Sequence, residues 1–247
     1  MLKTFTKGGI HPPENKFSAG NKIKVLPPPG IATIPIAQHI GVPAAPMVKK
    51  GEDVKAGQVI AKAEGFVSAF IHSSVSGKVL KIEPAMDVSG YKKMSVIIQV
   101  DGDEWMDDII RDETLIKDVE YTGEEIVKKV QEAGIVGLGG ATFPSHVKLS
   151  VPKGKKADHL ILNGVECEPY LTADHMLMLE KGEEILVGAR LLMKALGVNK
   201  TIIGIENNKP DAIEYLQKLT ASYDGIYVQP LKVKYPQGGE KQLIKAV

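Results

Sequence analysis

The chain has 247 residues, enough for one large or two moderate domains with ample core. Its 31 Lys and Arg nearly cancel 30 Asp and Glu to leave a net charge of +1, which gives no reason to expect nucleic acid or an anionic membrane surface as partner. The single cysteine, Cys167, excludes an intrachain disulfide and any cysteine-ligated cluster held by this chain alone, and no apolar run approaches the roughly 18 residues that span a bilayer.

The opening MLKTFTKGGIHPPENK lacks the apolar stretch of a signal peptide, so a soluble, cytosolic chain without a membrane span is expected. Residues 1–30 carry GGIHPPENK and LPPPG and predict an extended, proline-stiffened arm. Short β-type segments with turn residues between them fill 31–105. Ile34 to His39 alternates apolar and polar, Gly51 and Gly57 punctuate the next pieces, Ser74 to Val79 repeats turn-then-strand, and Met94 to Val100 reads as the last strand. The spacing predicts a small all-β sandwich or barrel. GEDVKAGQVIA and SSVSGKV resemble the two halves of a biotinyl/lipoyl-type barrel-sandwich domain. That family carries a modifiable lysine on the hairpin between the halves, whereas Glu64-Gly65-Phe66-Val67-Ser68 has none, which points to a docking or structural role. His11 and His72 have no partner at a metal-ligand spacing.

Residues 106–247 read as α/β. Thr122 and Glu125 form a capping-box pattern opening a helix with Ile126, Val127 and Val130 on one face, and Gly134 suits its end. GIVGLGGATFPSHVKL follows. Bare backbone amides at Gly137, Gly139 and Gly140 can form a concave nest for an anion. Pro144 suits the start of a short helix, and Lys148 can return a positive charge to the same place. The loop follows a helix, so it is not the dinucleotide fingerprint, and no Gly-Lys-Ser/Thr follows it. A flexible inter-domain turn would share its composition.

Beyond the loop, Leu160–Asn163, 201–205 and 226–233 read as strands, with helices over 183–196 and from Pro210 to about Ser222. Successive strand–helix–strand units predict a parallel sheet with right-handed crossovers. Ligands of such sheets sit outside the carboxyl ends of the strands. There the chain carries Asn163 to Pro169, Glu206-Asn207-Asn208, and Tyr235 to Glu240, the last a second glycine loop opening a helix. These sets suit a nucleotide-like ligand, although solvated turns share the composition.

Taken together, GLGGATFPSHVK, NGVECEPYLTAD and YPQGGEKQLI resemble the FMN- and NADH-binding subunit of respiratory complex I. They resemble more closely the C subunits of Rnf-type ion-translocating ferredoxin:NAD oxidoreductases, as do GGIHPPENK and IPIAQHIG. The resemblance implies a barrel-sandwich domain followed by a Rossmann-like flavin-binding α/β domain, incomplete at Val247. FMN would be held by Gly137, Gly139, Gly140, Lys148, Asn163, Glu166, Tyr235 and Gly238, and NADH would meet Phe143, Glu168 and Glu240. It further implies two [4Fe-4S] clusters in a missing C-terminal part, the other subunits of a membrane-bound complex as partners, and a peripheral position on the cytoplasmic face of the membrane. This sequence departs from the complex I pattern at Val165, Leu138 and Gly239, where that subunit has aspartate, arginine and glutamate.

Three other readings compete. Cys167 could be a hydrolase nucleophile with His175 nearby, but Glu166 and Glu168 beside it oppose a thiolate. Glu166, Glu168, Asp174 and His175 match no standard metal spacing. A scaffold with a degenerate flavin fold would bind neither FMN nor NADH.

Overall fold

Alternation begins the ordered chain. In β1 (Ile31–Pro35) Ala32 and Ile34 are buried while Ile31 and Thr33 face solvent, the period-2 rhythm of a strand covered on one side. The computed structural model describes residues 2–112 and 114–247. It forms two units: Leu26–Ser150, and the residues up to Val25 together with Val151–Val247.

The first unit holds two small antiparallel sheets. β1 pairs with β7 (Lys92–Val100), which pairs with the ten-residue β6 (Gly77–Met86), and β3 (Asp53–Val54) closes the far edge of β6. A bulge between Val79 and Lys81 interrupts the β6–β7 register, the usual device for bending a sheet. β2 (Ala45–Pro46), β4 (Val59–Lys62) and β5 (Ile71–His72) make the second sheet. Ile34, Val54, Ile60, Val79, Val96 and Ile98, drawn from both sheets, share one core. Each such Val or Ile contributes roughly 1.5–3 kcal/mol by leaving water. Gly77 has φ +144°, and a Cβ there would lie 2.1 Å from the Gln99 carbonyl oxygen, so the entry to β6 requires glycine.

The same unit continues through α1 (Gly123–Glu132) to α2 (Ser145–Leu149). The capping box is present: the Glu125 amide donates to Thr122 Oγ1 at 3.3 Å, and the Thr122 amide donates to Glu125 Oε2 at 2.7 Å. Ile126 and Val130 form the buried stripe. Gly134 follows α1 in the left-handed region at φ +68°, where a Cβ would strike the Phe70 carbonyl at 2.3 Å.

In the second unit the strands run parallel in the order β8 (Leu160–Asn163), β9 (Thr201–Glu206), β10 (Ile226–Leu231). α3 (Ala173–Glu180) and α4 (Gly182–Leu196) connect β8 to β9, α5 (Pro210–Thr220) connects β9 to β10, and α6 (Glu240–Ala246) follows β10. Gly197 closes α4 in the left-handed conformation at φ +66°. Leu243 and Ala246 of α6 pack with Val165, Cys167 and Leu231. The sheet leaves little room there, since a Cβ on Gly204 would lie 2.9 Å from Leu243 and 3.0 Å from Leu231. The N-terminal arm belongs to this unit: Lys3 makes a parallel bridge to Leu231, and Ile10 an antiparallel bridge to Tyr235. No helix of the described residues is long and apolar enough to cross a membrane.

Candidate functional site

The loops leaving the parallel sheet are tied to one another. Asn163, the last residue of β8, donates from Nδ2 to the Gly238 carbonyl at 2.9 Å and accepts the Val165 amide on Oδ1 at 3.2 Å. The Gly238 amide in turn donates to Cys167 Sγ at 3.4 Å. A Cβ on Gly238 would sit 3.3 Å from the Val165 carbonyl oxygen and 3.5 Å from that sulfur, so this close approach favours glycine. Asn163, Gly238 and the 165–167 segment are thus brought together at the carboxyl ends of the strands. Tyr235 is pinned through its backbone, exchanging 2.9 Å hydrogen bonds in both directions with Ile10. Glu168 and Glu240 are exposed.

Glu166 is buried, and its carboxylate faces a helix: Oε1 accepts the Asp174 amide at 2.7 Å and Oε2 the His175 amide at 3.2 Å. An anionic side chain on these free amides satisfies the start of α3 and favours its dipole. Asp174 beside it is exposed as a residue, yet its carboxyl is held above the usual carboxylate range, by local desolvation first and then by the charge of Glu166.

Glu206 belongs to the polar set after β9, and neither it nor Lys209 or Gln237 is marked for a role by its sequence neighbourhood. All three are essentially inaccessible to solvent. Lys209 Nζ lies 3.3 Å from Glu206 Oε2 and 3.1 Å from Asn208 Oδ1. Burial raises the Glu206 carboxyl, and the Lys209 ammonium opposes that shift. Gln237 Oε1 accepts the Thr4 hydroxyl at 2.7 Å. Among the described residues, Glu206 Oε1 and Gln237 Nε2 are buried without a hydrogen-bond partner. The signal in the sequence is a glutamate closing the apolar run TIIGI with a lysine three residues later.

The glycine loop lies in the other unit. It is clipped at its base: Val136 bridges Pro144, the Gly137 amide donates to the Phe143 carbonyl at 2.9 Å, and the Ser145 amide donates to that of Ile135 at 3.0 Å. Between these points Gly139 and Gly140 are bare, with nothing within 4 Å of a Cβ added at either, and Gly140 has φ +109°. Lys148 Nζ lies 3.7 Å from where a Cβ on Gly137 would be, so its charge is brought back to the loop. Pro144 caps α2 rather than entering it, and a five-residue helix adds little dipole, leaving Lys148 as the main source of positive charge. Phe143 is partly exposed at the end of the loop.

The lysine-free hairpin braces the same segment. The ring of buried His146 donates from Nε2 to the Phe66 carbonyl at 2.9 Å, and the Phe66 ring meets it edge-on at 6.1 Å. The Ile40 amide donates to the Thr142 carbonyl at 3.4 Å.

Neither alternative chemistry is favoured. Burial pushes the Cys167 thiol up, and the charges of Glu168 and Glu206 push the same way, so a nucleophilic thiolate is disfavoured. His175 Nε2 is 2.8 Å from Asp211 Oδ1, which engages the ring elsewhere. Among the described residues no group of three or more His, Cys, Asp or Glu is placed to hold a metal ion.

Comparison with known proteins gives two successive family matches. Residues 4–103 match the RnfC barrel sandwich hybrid domain, and residues 130–247 match the Nuo51 FMN-binding domain. The chain is 48% identical to the C subunit of the Na(+)-translocating ferredoxin:NAD(+) oxidoreductase complex of Acetobacterium woodii, over 98% of this chain and 54% of that protein. It is 47% identical to the C subunit of the proton-translocating ferredoxin:NAD(+) oxidoreductase complex of Clostridium ljungdahlii, over 100% of this chain and 53% of that one. Identity to the C subunit of the ion-translocating oxidoreductase complex of Rhodobacter capsulatus is 40%, over 100% of this chain and 48% of the relative. The chain therefore spans about half the length of these curated relatives. With both domain matches in this order and such identities along its whole length, the chain belongs to the family of Rnf C subunits, which shares its flavin domain with complex I.

Proposed function

We propose that this chain is the flavin-binding part of an electron-transfer subunit in a membrane-associated ferredoxin:NAD oxidoreductase complex. The observation that carries the reading is the tie between Asn163, Gly238 and Cys167 at the carboxyl ends of the parallel strands, within the segment that matches an FMN-binding domain. The residues present suit FMN. Gly139 and Gly140 offer backbone with open space beside it, Lys148 supplies charge for a phosphate, and Asn163, Tyr235 and Gly238 offer polar groups at the strand ends. FMN, when bound, supplies the conversion between hydride and single-electron chemistry.

The remaining roles fall to the chain's own residues. Gly137, Gly139, Gly140 and Lys148 hold the phosphate and ribityl part. Asn163, Tyr235 and Gly238 orient the ring, while Glu166 supports them through its backbone, because its carboxylate caps α3. Phe143, partly exposed, would stack on nicotinamide or adenine, and exposed Glu168 and Glu240 would face the dinucleotide. No side chain is required as general acid or base. With a single cysteine the 247 residues cannot ligate an iron–sulfur cluster by themselves, so such clusters would have to be held elsewhere, and the other subunits of the complex would keep the chain peripheral to the membrane.

Titrating the 247-residue chain with FMN, and following quenching of flavin fluorescence, tests the reading. Saturable 1:1 quenching, followed by bleaching of the bound flavin on adding NADH, is the expected result. A chain that quenches neither FMN nor riboflavin and ignores NADH is a scaffold, and the proposal fails.

A further inference from the structure

The N-terminal arm touches the loop after every strand of the parallel sheet. At β10 it pairs Ile10 with Tyr235. At β9, Glu14 Oε2 accepts Asn208 Nδ2 at 2.8 Å. After β8 the contacts multiply: the Tyr170 amide donates to the Glu14 carbonyl at 3.0 Å, and the Ser18 and Thr172 hydroxyls lie 2.7 Å apart. Between them the Lys16 ammonium donates to the carbonyls of Glu166 at 2.8 Å, Glu168 at 2.9 Å and Leu171 at 2.7 Å. An ammonium has three N–H donors, so three carbonyls spend it completely. Each bond is charge-assisted, and together they fix the loop's path at three points.

The route of the arm is itself specified. Gly9 has φ +91°, and a Cβ there would lie 2.5 Å from Lys234 Cε and 2.9 Å from the Tyr235 carbonyl oxygen. Pro12 and Pro13 then stiffen the approach to Glu14 and lower the entropy lost on docking. Lys16 feels charges of both signs: Lys209 opposes its ammonium form, and Glu166, Glu206 and Glu14 favour it.

We infer that Lys16 is a positioning residue for the flavin site, acting as a three-point clamp that sets the 166–171 loop before any ligand arrives. The inference rests on the proposed flavin reading. Lys16 itself spends its donors on the loop and none on a ligand. It holds the backbone from which Glu166 and Glu168 project, so its removal lets that loop drift, and a displacement of about 1 Å at such a site can cost a hundredfold.

The test compares Lys16→Met, which keeps the aliphatic stem, with Lys16→Arg, which keeps charge and donors, and with Lys24→Met on the exposed part of the arm as control. FMN affinity is read by fluorescence quenching and folding by circular dichroism. Lys16→Met is expected to remain folded and bind FMN at least about tenfold more weakly. Lys16→Arg should recover part of the loss, and Lys24→Met should match wild type. Hydrogen exchange of the wild-type chain gives an independent reading should Lys16→Met fail to fold: FMN should slow exchange across residues 10–18 along with 163–171. Wild-type protein that binds no FMN overturns the flavin reading and the clamp with it. Wild-type binding that a folded Lys16→Met leaves within about twofold, or FMN protection of 163–171 without 10–18, overturns the clamp alone.

Discussion

At the carboxyl ends of β8–β10 the polar groups hold one another, whereas the middle of the 137–143 loop has open space beside its backbone. Asn163, Cys167 and Gly238 are joined by hydrogen bonds, and Glu206 and Lys209 form a buried pair. Gly139 and Gly140 face nothing within 4 Å. The first region is set in advance and its residues have little freedom left to lose on binding. The second owes its shape to clips at its base. Ring recognition suits the first arrangement, because orientation must be accurate. Phosphate capture suits the second, because amides and a lysine tolerate adjustment.

Lys209→Met disturbs this contrast most. It takes the ammonium from beside the buried Glu206 carboxyl, and a loss of about 3–5 kcal/mol is expected. Denaturant unfolding should show that loss. A variant as stable as the wild type would mean that the pair contributes nothing net.

Lys148→Met comes next. Removing one charge from the glycine loop should weaken FMN about tenfold, the effect of one charge-assisted contact. Riboflavin, lacking the phosphate, should bind wild type and variant alike. Equal losses for both ligands would remove the loop from the phosphate.

Asn163→Ala probes the preset side. It removes the bond to Gly238 and the acceptor for Val165. A loss of about 1 kcal/mol, near fivefold in affinity, is expected for FMN and riboflavin equally. An effect confined to FMN would place the phosphate at the strand ends instead.

The smallest effect concerns pH. Asp174 is raised above the ordinary carboxylate value by desolvation of its carboxyl and by Glu166, so the folded state binds its proton more tightly than the unfolded state does. Its favourable contribution is present below the ordinary carboxylate pKa and is lost as pH rises through the raised folded value. Asp174→Asn should therefore flatten that decline and leave the chain slightly more stable at neutral pH, as measured by unfolding across acid to neutral pH. A steeper decline in the variant would show that the charge of Asp174 is favourable where it sits.

Much of the secondary structure was legible in the sequence. Leu160–Asn163 is a strand, Thr122 caps α1 together with Glu125, and Gly197 ends α4, because each depends on neighbours within a few residues. β1 begins at Ile31, three residues before the alternation read from Ile34, since the outward residues there are themselves apolar or small. The sequence gives no comparable sign of α3. Its segment ADHMLMLE has apolar residues on every side, and its buried set includes His175 as well as Met176 and Met178, so no polar stripe marks a helix.

Of the site, residue order alone supplies the inventory: glycines at 137, 139, 140 and 238, polar strand ends, and the motifs that identify the family. Local spacing and residue type carry that information, since it concerns which groups a loop can offer. How those groups are spent was settled by packing in three dimensions. Packing turned the Glu166 carboxylate onto α3, buried Glu206 with Lys209, and brought Lys16 across 150 residues of chain to the Glu166 carbonyl, and to those of Glu168 and Leu171. Those outcomes depend on which distant backbone groups would otherwise be left without partners, a requirement that arises only when the chain is folded on itself.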